Sequence, residues 1–521
     1  MRHRKNIFVL IATTSLIRIL MAAFIGLGND EVYYRMYAEQ LQWNYFDHPP
    51  MVGWLIRLFT FNLQIDNQLT IRLTAIICSA FTTYLIYRCG KKIKDEQTGF
   101  IAALLYSATI YGSIIAGTFI LPDAPQMVFW AWSVYHLLNY TAATEQRIKN
   151  KALLLFGMTT GLGMMCKIHT IFLWIGLTLY LLLKDLKLIR NPYFYISGII
   201  TIALFYPVIQ WNIDHHFVTY TYHSNRVNQV NGGFNYNSLI QFSLGQIFYT
   251  SIILFPLFVM ATKGAFSNKW KLNPRQNSLL LSVSLPLIMV ALVLSCFNTV
   301  LPHWTGPAYF AIVLMTAAYI RERNKTLLNG AMRWALYFIL ILSLAGILLI
   351  NYYPGTIGKK DAAKWGEGDF SLDMFGWEDA AASFSKIVEK DIQNGTMNPD
   401  AAIISNKWFP GAHIDHYIAA PMKRKMLVWG EMNDIHQYYW LNPSRGNLKA
   451  GDDAYCIVPS NYYFDANKSF AGNFATIGPV DTFSVYRSGK PARKFYIYRF
   501  RNLQHKATSA STACTKQTKE M

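Results

Sequence analysis

The sequence predicts an all-α polytopic membrane bundle of about eleven spanning helices, followed by a smaller α/β domain outside the bilayer. Three observations predict it. The chain is 53% hydrophobic and only 15% charged, where soluble proteins carry about a quarter charged residues. Apolar runs of about 17–25 residues, long enough to cross hydrocarbon as helices, recur as far as residue 351. From residue 353 the composition turns to mixed charge, Gly, Pro and aromatics, with no further such run.

The apolar runs are 6–27, 69–89, 97–117, 122–140, 152–167, 169–184, 192–211, 239–262, 277–297, 300–320 and 331–351. The first follows a basic head, MRHRK. It is longer than a signal-peptide core and lacks a small-residue cleavage site, so it reads as a retained first helix. The net charge of +19 would suit a nucleic-acid partner, but the basic residues sit in alternate loops and no nucleic acid is expected. One such loop holds Arg88, Lys91, Lys92 and Lys94, another Lys184, Lys187 and Arg190, and a later one Arg321, Arg323 and Lys325. By the positive-inside rule these loops and the N-terminus are cytoplasmic. The alternation holds only if 152–184 is two spans. Loops 28–68 and 212–238 then face outside, as does the domain at 353–502, which in a bacterial inner membrane means the periplasm. Stretches 425-KMLVW-429 and 454-AYCIVP-459 read as strands of that domain. The tail 503–521 is polar and reads as disordered. The six cysteines form no CxxC, which argues against a disulfide framework or a zinc site.

The chemistry gathers on the outward side. Asp30, Glu31, Asp47 and His48 lie in the first outer loop, Asp123 in the second, Lys167 and His169 in the third, and Asp214, His215, His216, His223 and Arg226 in the fourth; His303 lies in the last. Charge at membrane depth is costly and marks pathways or sites. A half-buried carboxylate can serve as a general base, and Lys and Arg can hold a phosphate and stabilise its departing charge. Tyr33, Tyr34, Trp43, Tyr45 and Phe46 could stack on a sugar, although aromatics also line headgroup belts. The outer loops contain no HxH or HxxxH spacing, so no metal is expected. Asp47 and the histidines are the residues that would ligate a divalent ion if one were used. Glu431, Asp434 and Arg445 read as solvated surface.

The run 30-DEVYYRMYAEQLQWNYFDHPPMVGWLI-56 resembles the first extracytoplasmic loop of the bacterial family-39-like glycosyltransferases. These are relatives of the dolichyl-phosphate-mannose protein mannosyltransferases and of the lipid A aminoarabinose transferase. The resemblance continues through 122-PDAPQMVFWAW-132, 161-GLGMMCKIH-169, 211-WNIDHHFVTYTYHSNR-226 and 302-PHWTGPAYF-310, and resumes in 404-ISNKWFPGAHIDHYI-418 and 427-LVWGEMNDIHQYYW-440. It implies a GT-C architecture and inverting transfer of a sugar from a polyprenyl-phosphate donor to a lipid, glycan or protein acceptor. It further implies catalytic roles for Asp30, Glu31 and Asp123, with Asp30 as general base. Lys167, Arg226 and His48 would bind the donor phosphate, and Tyr33, Tyr34, Asp47 and His303 would contact sugar or acceptor. At His48 the family's lysine is replaced by a titratable group. The competing reading is a transporter or flippase of a lipid-linked envelope precursor. That reading expects midplane charges and repeated halves, and this chain has neither. A scaffold for envelope assembly would not need the charges to converge, and an oligosaccharide ligase would carry paired arginines in a large outer loop, which is absent.

Overall fold

The computed structural model describes residues 2–228, 233–269, 271–323 and 325–504, with side chains described from residue 5 and excluding 225–228 and 325–329. The tail beyond 504 lies outside the described residues. By its contacts the chain divides into two compact units, one of residues 1–23 and 41–343, the other of 24–40 and 344–521.

Every predicted apolar run falls on helix. The first unit begins with α1 (Arg2–Phe24), and the predicted outer loop holds two short helices, α2 (Asn29–Tyr37) in the second unit and α3 (Met51–Phe59) in the first. α4 (Gln68–Ile93) starts where the Asn67 side chain accepts from the Leu69 and Thr70 N–H groups, and α5 (Glu96–Ser107) where Asp95 accepts from Thr98. Such caps satisfy the orphan donors of a helix start. After a π-turn at Tyr111–Ile115 come α6 (Asp123–Ala142) and α7 (Gln146–Met164), then α8 (Phe172–Lys184) behind a 3-10 turn, so 152–184 is two helices. α9 (Pro192–Asp214) and α10 (Val218–Asn228) follow. The run predicted as one span at 239–262 is broken into α11 (Tyr236–Thr250) and α12 (Phe255–Phe266), which meet at 96°. Pro256 has no N–H to donate, and its ring excludes the preceding turn; Ser251 takes up the bend with a φ of 104°. α13 (Pro274–Ser295), α14 (Tyr309–Glu322) and α15 (Lys325–Tyr352) complete the series.

Of the helices among the described residues, five are long and apolar enough to cross a membrane, or six if the bent pair is one span. Several of the other predicted runs form helices too short or too interrupted to count. The bundle core holds Trp130, Phe156, Tyr180 and Leu314, all fully buried. Close crossings use small residues, as in membrane bundles generally. A Cβ on Gly157 of α7 would meet the Ser197 carbonyl oxygen of α9 at 2.2 Å.

The second unit carries a six-stranded sheet of β1 (Ala402–Ser405), β2 (Met426–Val428), β3 (Ala454–Pro459), β4 (Phe474–Ile477), β5 (Asp481–Arg487) and β6 (Lys490–Leu503). Their order is β2-β1-β3-β6-β4, with β5 also on β6. β1 runs parallel to β2 and β3, aligning Ile403 with Met426 and Tyr455. Both predicted strands are present, as β2 and β3, and β1 and β3 are buried throughout, as expected of parallel strands. α16 (Trp377–Gln393), α17 (Trp408–Ile414), α18 (Met432–Ile435), α19 (Tyr438–Arg445) and α20 (Ala466–Phe470) belong to the same unit.

Candidate active site

In the first unit the site is built where α6 begins and α7 ends. Asp123 is the first residue of α6, where the helix dipole favours a carboxylate. Lys167 follows α7 and precedes the 3-10 turn Ile168–Ile171. Lys167 Nζ lies 2.8 Å from Asp123 Oδ2, and Tyr111 Oη donates to Asp123 Oδ1 at 3.1 Å. Both acidic oxygens are thus engaged, in a pair whose members are 1% and 5% exposed. A carboxylate removed from water needs such partners to stay charged. One turn further on, Gln126 Nε2 donates to Thr170 Oγ1 at 3.1 Å, so the two segments meet through a second contact on the same faces.

Two histidines from other segments interact electrostatically with this pair: His303 with both Asp123 and Lys167, and His169 with both and also with His48 and His223. His48 Nδ1 lies 3.1 Å from Asp47 Oδ2, while His223 Nε2 is 2.7 Å from the Asp47 carbonyl oxygen. The Met51 N–H donates to Met165 O at 3.1 Å, tying the segment after Pro50 to the end of α7 beside Lys167. His303 also lines a small cavity with Tyr106, Tyr111, Gln246 and Tyr249, with about 20 Å³ of room, enough for a single water. The first unit therefore brings Asp47, His48, Asp123, Lys167 and His303 into one neighbourhood, together with His169 and His223. Arg226 lies on α10, and its side chain is outside the described residues. Among the described residues, no three His, Cys, Asp or Glu are grouped to hold a metal ion.

Asp30, Glu31, Tyr33 and Tyr34 belong to α2 in the second unit. Asp30 is exposed, whereas Glu31 is buried and its Oε2 accepts from the Gly28 N–H at 2.8 Å, satisfying the donor that precedes the helix. Tyr33 and Tyr34 are buried, and the Tyr33 ring packs 4.8 Å from Trp408 and 5.1 Å from Tyr37.

Arg445 corrects the sequence reading. It is not solvated surface but the centre of an ion network, with Nη2 2.6 Å from Glu39 Oε2 and Nη1 2.7 Å from Asp415 Oδ2. Tyr438 Oη donates to the same Asp415 oxygen at 2.7 Å. Burial raises the Glu39 carboxyl, but the guanidiniums of Arg445 and Arg35 overcome it and hold Glu39 below the ordinary range. Asp415, buried and facing Glu39 across the shared cation, is pushed up. Glu431 and Asp434 do lie toward solvent, Asp434 pairing with Lys407 at 3.2 Å. Two further contributors were not singled out by sequence, although Gln126 lies within the stretch 122–132. Tyr111 lies in a π-turn of an apolar run, and Gln126 lies one turn into α6.

Residues 47–211, which include Asp47, His48, Asp123 and Lys167, match the family described as dolichyl-phosphate-mannose-protein mannosyltransferase. A curated relative, the lipid A galacturonosyltransferase RgtD of Rhizobium johnstonii, is 22% identical over 284 residues, which is 54% of this chain and 58% of the relative. The match thus spans less than two thirds of that protein. The crystal structure of ArnT from Cupriavidus metallidurans bound to undecaprenyl phosphate superposes with a TM-score of 0.66 at 11% identity, covering 95% of this chain and 98% of that one. The apo form of the same protein gives 0.63 at 11% identity over 96% and 98%. Residues 47–211 thus match the family described as dolichyl-phosphate-mannose-protein mannosyltransferase, in a multipass membrane chain that shares the GT-C fold of ArnT.

Proposed function

We propose that this protein is a membrane glycosyltransferase that moves a sugar from a polyprenyl-phosphate carrier to an extracytoplasmic lipid acceptor of the lipid A type. The observation that carries the reading is the buried Asp123–Lys167 pair at 2.8 Å, inside the segment that matches the mannosyltransferase family. An ammonium has three donors, and Asp123 takes one from Lys167, so Lys167 can hold a carrier phosphate while staying anchored. His48 and Arg226 are assigned to the same phosphate, and Tyr33, Tyr34, Asp47 and His303 to sugar or acceptor. The likeness to an undecaprenyl-phosphate-bound protein supports the carrier class; the lipid A relative supports the acceptor class.

In the proposed reaction an acceptor oxygen attacks the anomeric carbon from the face opposite the carrier. The bond from that carbon to the phosphate oxygen breaks, the phosphate leaves with the electron pair, and the configuration inverts. The hydroxyl proton passes to Asp30, on the strength of the motif. Glu31 holds the start of α2 by accepting from the Gly28 N–H. With a phosphate acceptor there is no proton to remove, and Asp30 would serve only in placement. The basic loops support an inner-membrane orientation with the N-terminus cytoplasmic and the second unit periplasmic.

The test is transfer by purified protein from a set of undecaprenyl-phosphate-linked radiolabelled sugars to lipid A, wild type beside Asp30→Asn and Lys167→Met. Transfer by wild type, lost in Asp30→Asn with donor still bound, is the expected result. Failure to bind or turn over any donor in the set would overturn the transferase reading in favour of a transporter of lipid-linked precursors.

A further inference from the structure

α2 is short, and nine residues cannot hold a helix together in water by propensity alone. Its first residue, Asn29, directly precedes Asp30 in the chain. The Asn29 side chain is gripped from two sides by residues of the second unit more than 340 positions away. On one side His413 Nε2 lies 3.0 Å from Asn29 Oδ1. On the other, Asn29 Nδ2 donates to Asp373 Oδ2 at 2.9 Å.

Each grip is itself braced. His413 is fully buried, stacked on Trp377 with ring centres 4.5 Å apart and planes at 8°. It is also stacked on Tyr417 at 5.9 Å and 10°. Burial and the nearby Arg493 charge push the His413 imidazole well below its ordinary pKa, which favours the uncharged ring. Asp373 receives Tyr462 Oη at 2.8 Å on its other oxygen, and its backbone carbonyl accepts from Trp377 Nε1 at 2.9 Å. The residues before Asn29 are held as well: the Leu27 N–H donates to Tyr417 Oη at 2.8 Å, and a Cβ at Gly26 would meet the Met374 carbonyl oxygen at 2.4 Å.

This arrangement admits only one orientation of the Asn29 amide. Turned over, its oxygen would face the Asp373 carboxylate, acceptor against acceptor, and its NH₂ would lose the carboxylate. The Asn29 oxygen must therefore accept, which puts the imidazole proton on His413 Nε2. With both ends of the amide used, the side-chain torsions of residue 29 are locked, and with them the backbone from which the first turn of α2 departs. Catalytic geometry is sensitive to shifts of about 1 Å, so a locked neighbour has a direct use.

We propose that Asn29, clamped between His413 and Asp373, is a positioning residue that sets the direction of the Asp30 carboxylate in the transfer reaction. The proposal rests on the reading of Asp30 as the acceptor base. The fold thereby employs the second unit to aim a residue that the sequence places in the first outer loop.

The experiment uses the full chain in lipid nanodiscs, with the undecaprenyl-phosphate-linked sugar set and lipid A. Asn29→Leu and His413→Leu are expected to lower kcat at least tenfold while donor binding stays within twofold. His413→Gln, which can still donate an N–H toward Asn29, is expected to keep more than half of kcat. A clamp serving stability alone would not produce this split between kcat and binding or this rescue. Hydrogen exchange at the backbone amides of residues 29–33 supplies a readout independent of turnover; it should quicken at least tenfold in Asn29→Leu and stay near wild type in His413→Gln. Unchanged exchange in Asn29→Leu overturns the proposal, as does kcat within twofold of wild type in Asn29→Leu when Asp30→Asn is inactive. Full transfer by Asp30→Asn overturns the base reading first and the positioning role with it.

Discussion

Lys167 Nζ lies 2.8 Å from Asp123 Oδ2, across 44 residues of sequence, and both side chains are buried. Removing one partner strands the other charge in a low-dielectric site, which costs about 3–5 kcal/mol, whereas removing both costs less. Lys167→Met should therefore lower stability more than the double variant Asp123→Asn/Lys167→Met, a non-additivity of the kind seen between contacting residues. Chemical denaturation of the four proteins of the cycle measures it; equal losses in single and double variants would refute the pairing. Under the proposed function both variants also lose transfer, so stability and activity separate here.

The Arg445 network makes a second case in the other unit. Arg445→Met leaves the Glu39 and Asp415 carboxylates without the cation they share. Arg35 still pairs with Glu39, so the larger loss falls on Asp415. The expected cost is about 3 kcal/mol, at the lower end for breaking a buried pair, read as a lower Tm than wild type. Arg445→Lys should recover little, because an ammonium lacks the fork that reaches two carboxylates at once.

Acid should weaken the second unit at Asp369. This carboxylate is buried and pairs with Arg487 at 3.1 Å. Burial pushes its pKa up, but hydrogen bonds from Ser371, Thr356 and the Ile357 N–H, with the Arg487 charge, bring it below the ordinary carboxylate value. A carboxyl lowered in the folded state contributes stability that is fully present above its unfolded pKa of about 3.9 and is lost as pH falls through the folded value. Thermal unfolding of the full chain from pH 7 to pH 3 should show a steeper loss below pH 4 in wild type than in Asp369→Asn. Parallel curves would rule out this contribution.

At Gly157 the contact is steric. A Cβ there meets a main-chain oxygen of Ser197, which cannot swing aside as a side chain would. Gly157→Ala should cost about 1–3 kcal/mol, the usual range for forced overpacking, by separating α7 from α9. Gly346→Ala on α15, where no atom lies within 4 Å of the new Cβ, is the matched control and should be neutral or mildly stabilising. Tm values of the two variants decide the matter.

Much of this molecule was legible in its sequence because the relevant physics is local. Hydrocarbon demands long apolar helices with satisfied backbones, so composition and run length alone predicted the bundle, and the switch at residue 353 predicted a second kind of structure. The split at 152–184 followed from charge alternation. The break at Ser251–Leu254 was missed although Pro256 was in plain view, because an apolar run does not reveal whether a proline begins a new helix or is absorbed into a continuing one.

Sequence by itself determined the solvent, the class of fold and the acidic and basic residues on the outward loops. Tertiary structure alone decided which of them meet. Asp123 found Lys167 and Tyr111, while Arg445, set down as surface, found Glu39 and Asp415 from segments about 400 and 30 residues away. Asn29 gained partners that no spacing could suggest. The reason is that a side chain's partners depend on distances across packed elements, and burial converts a weak surface charge into a strong, directional interaction; neither quantity is a property of neighbouring residues in the chain.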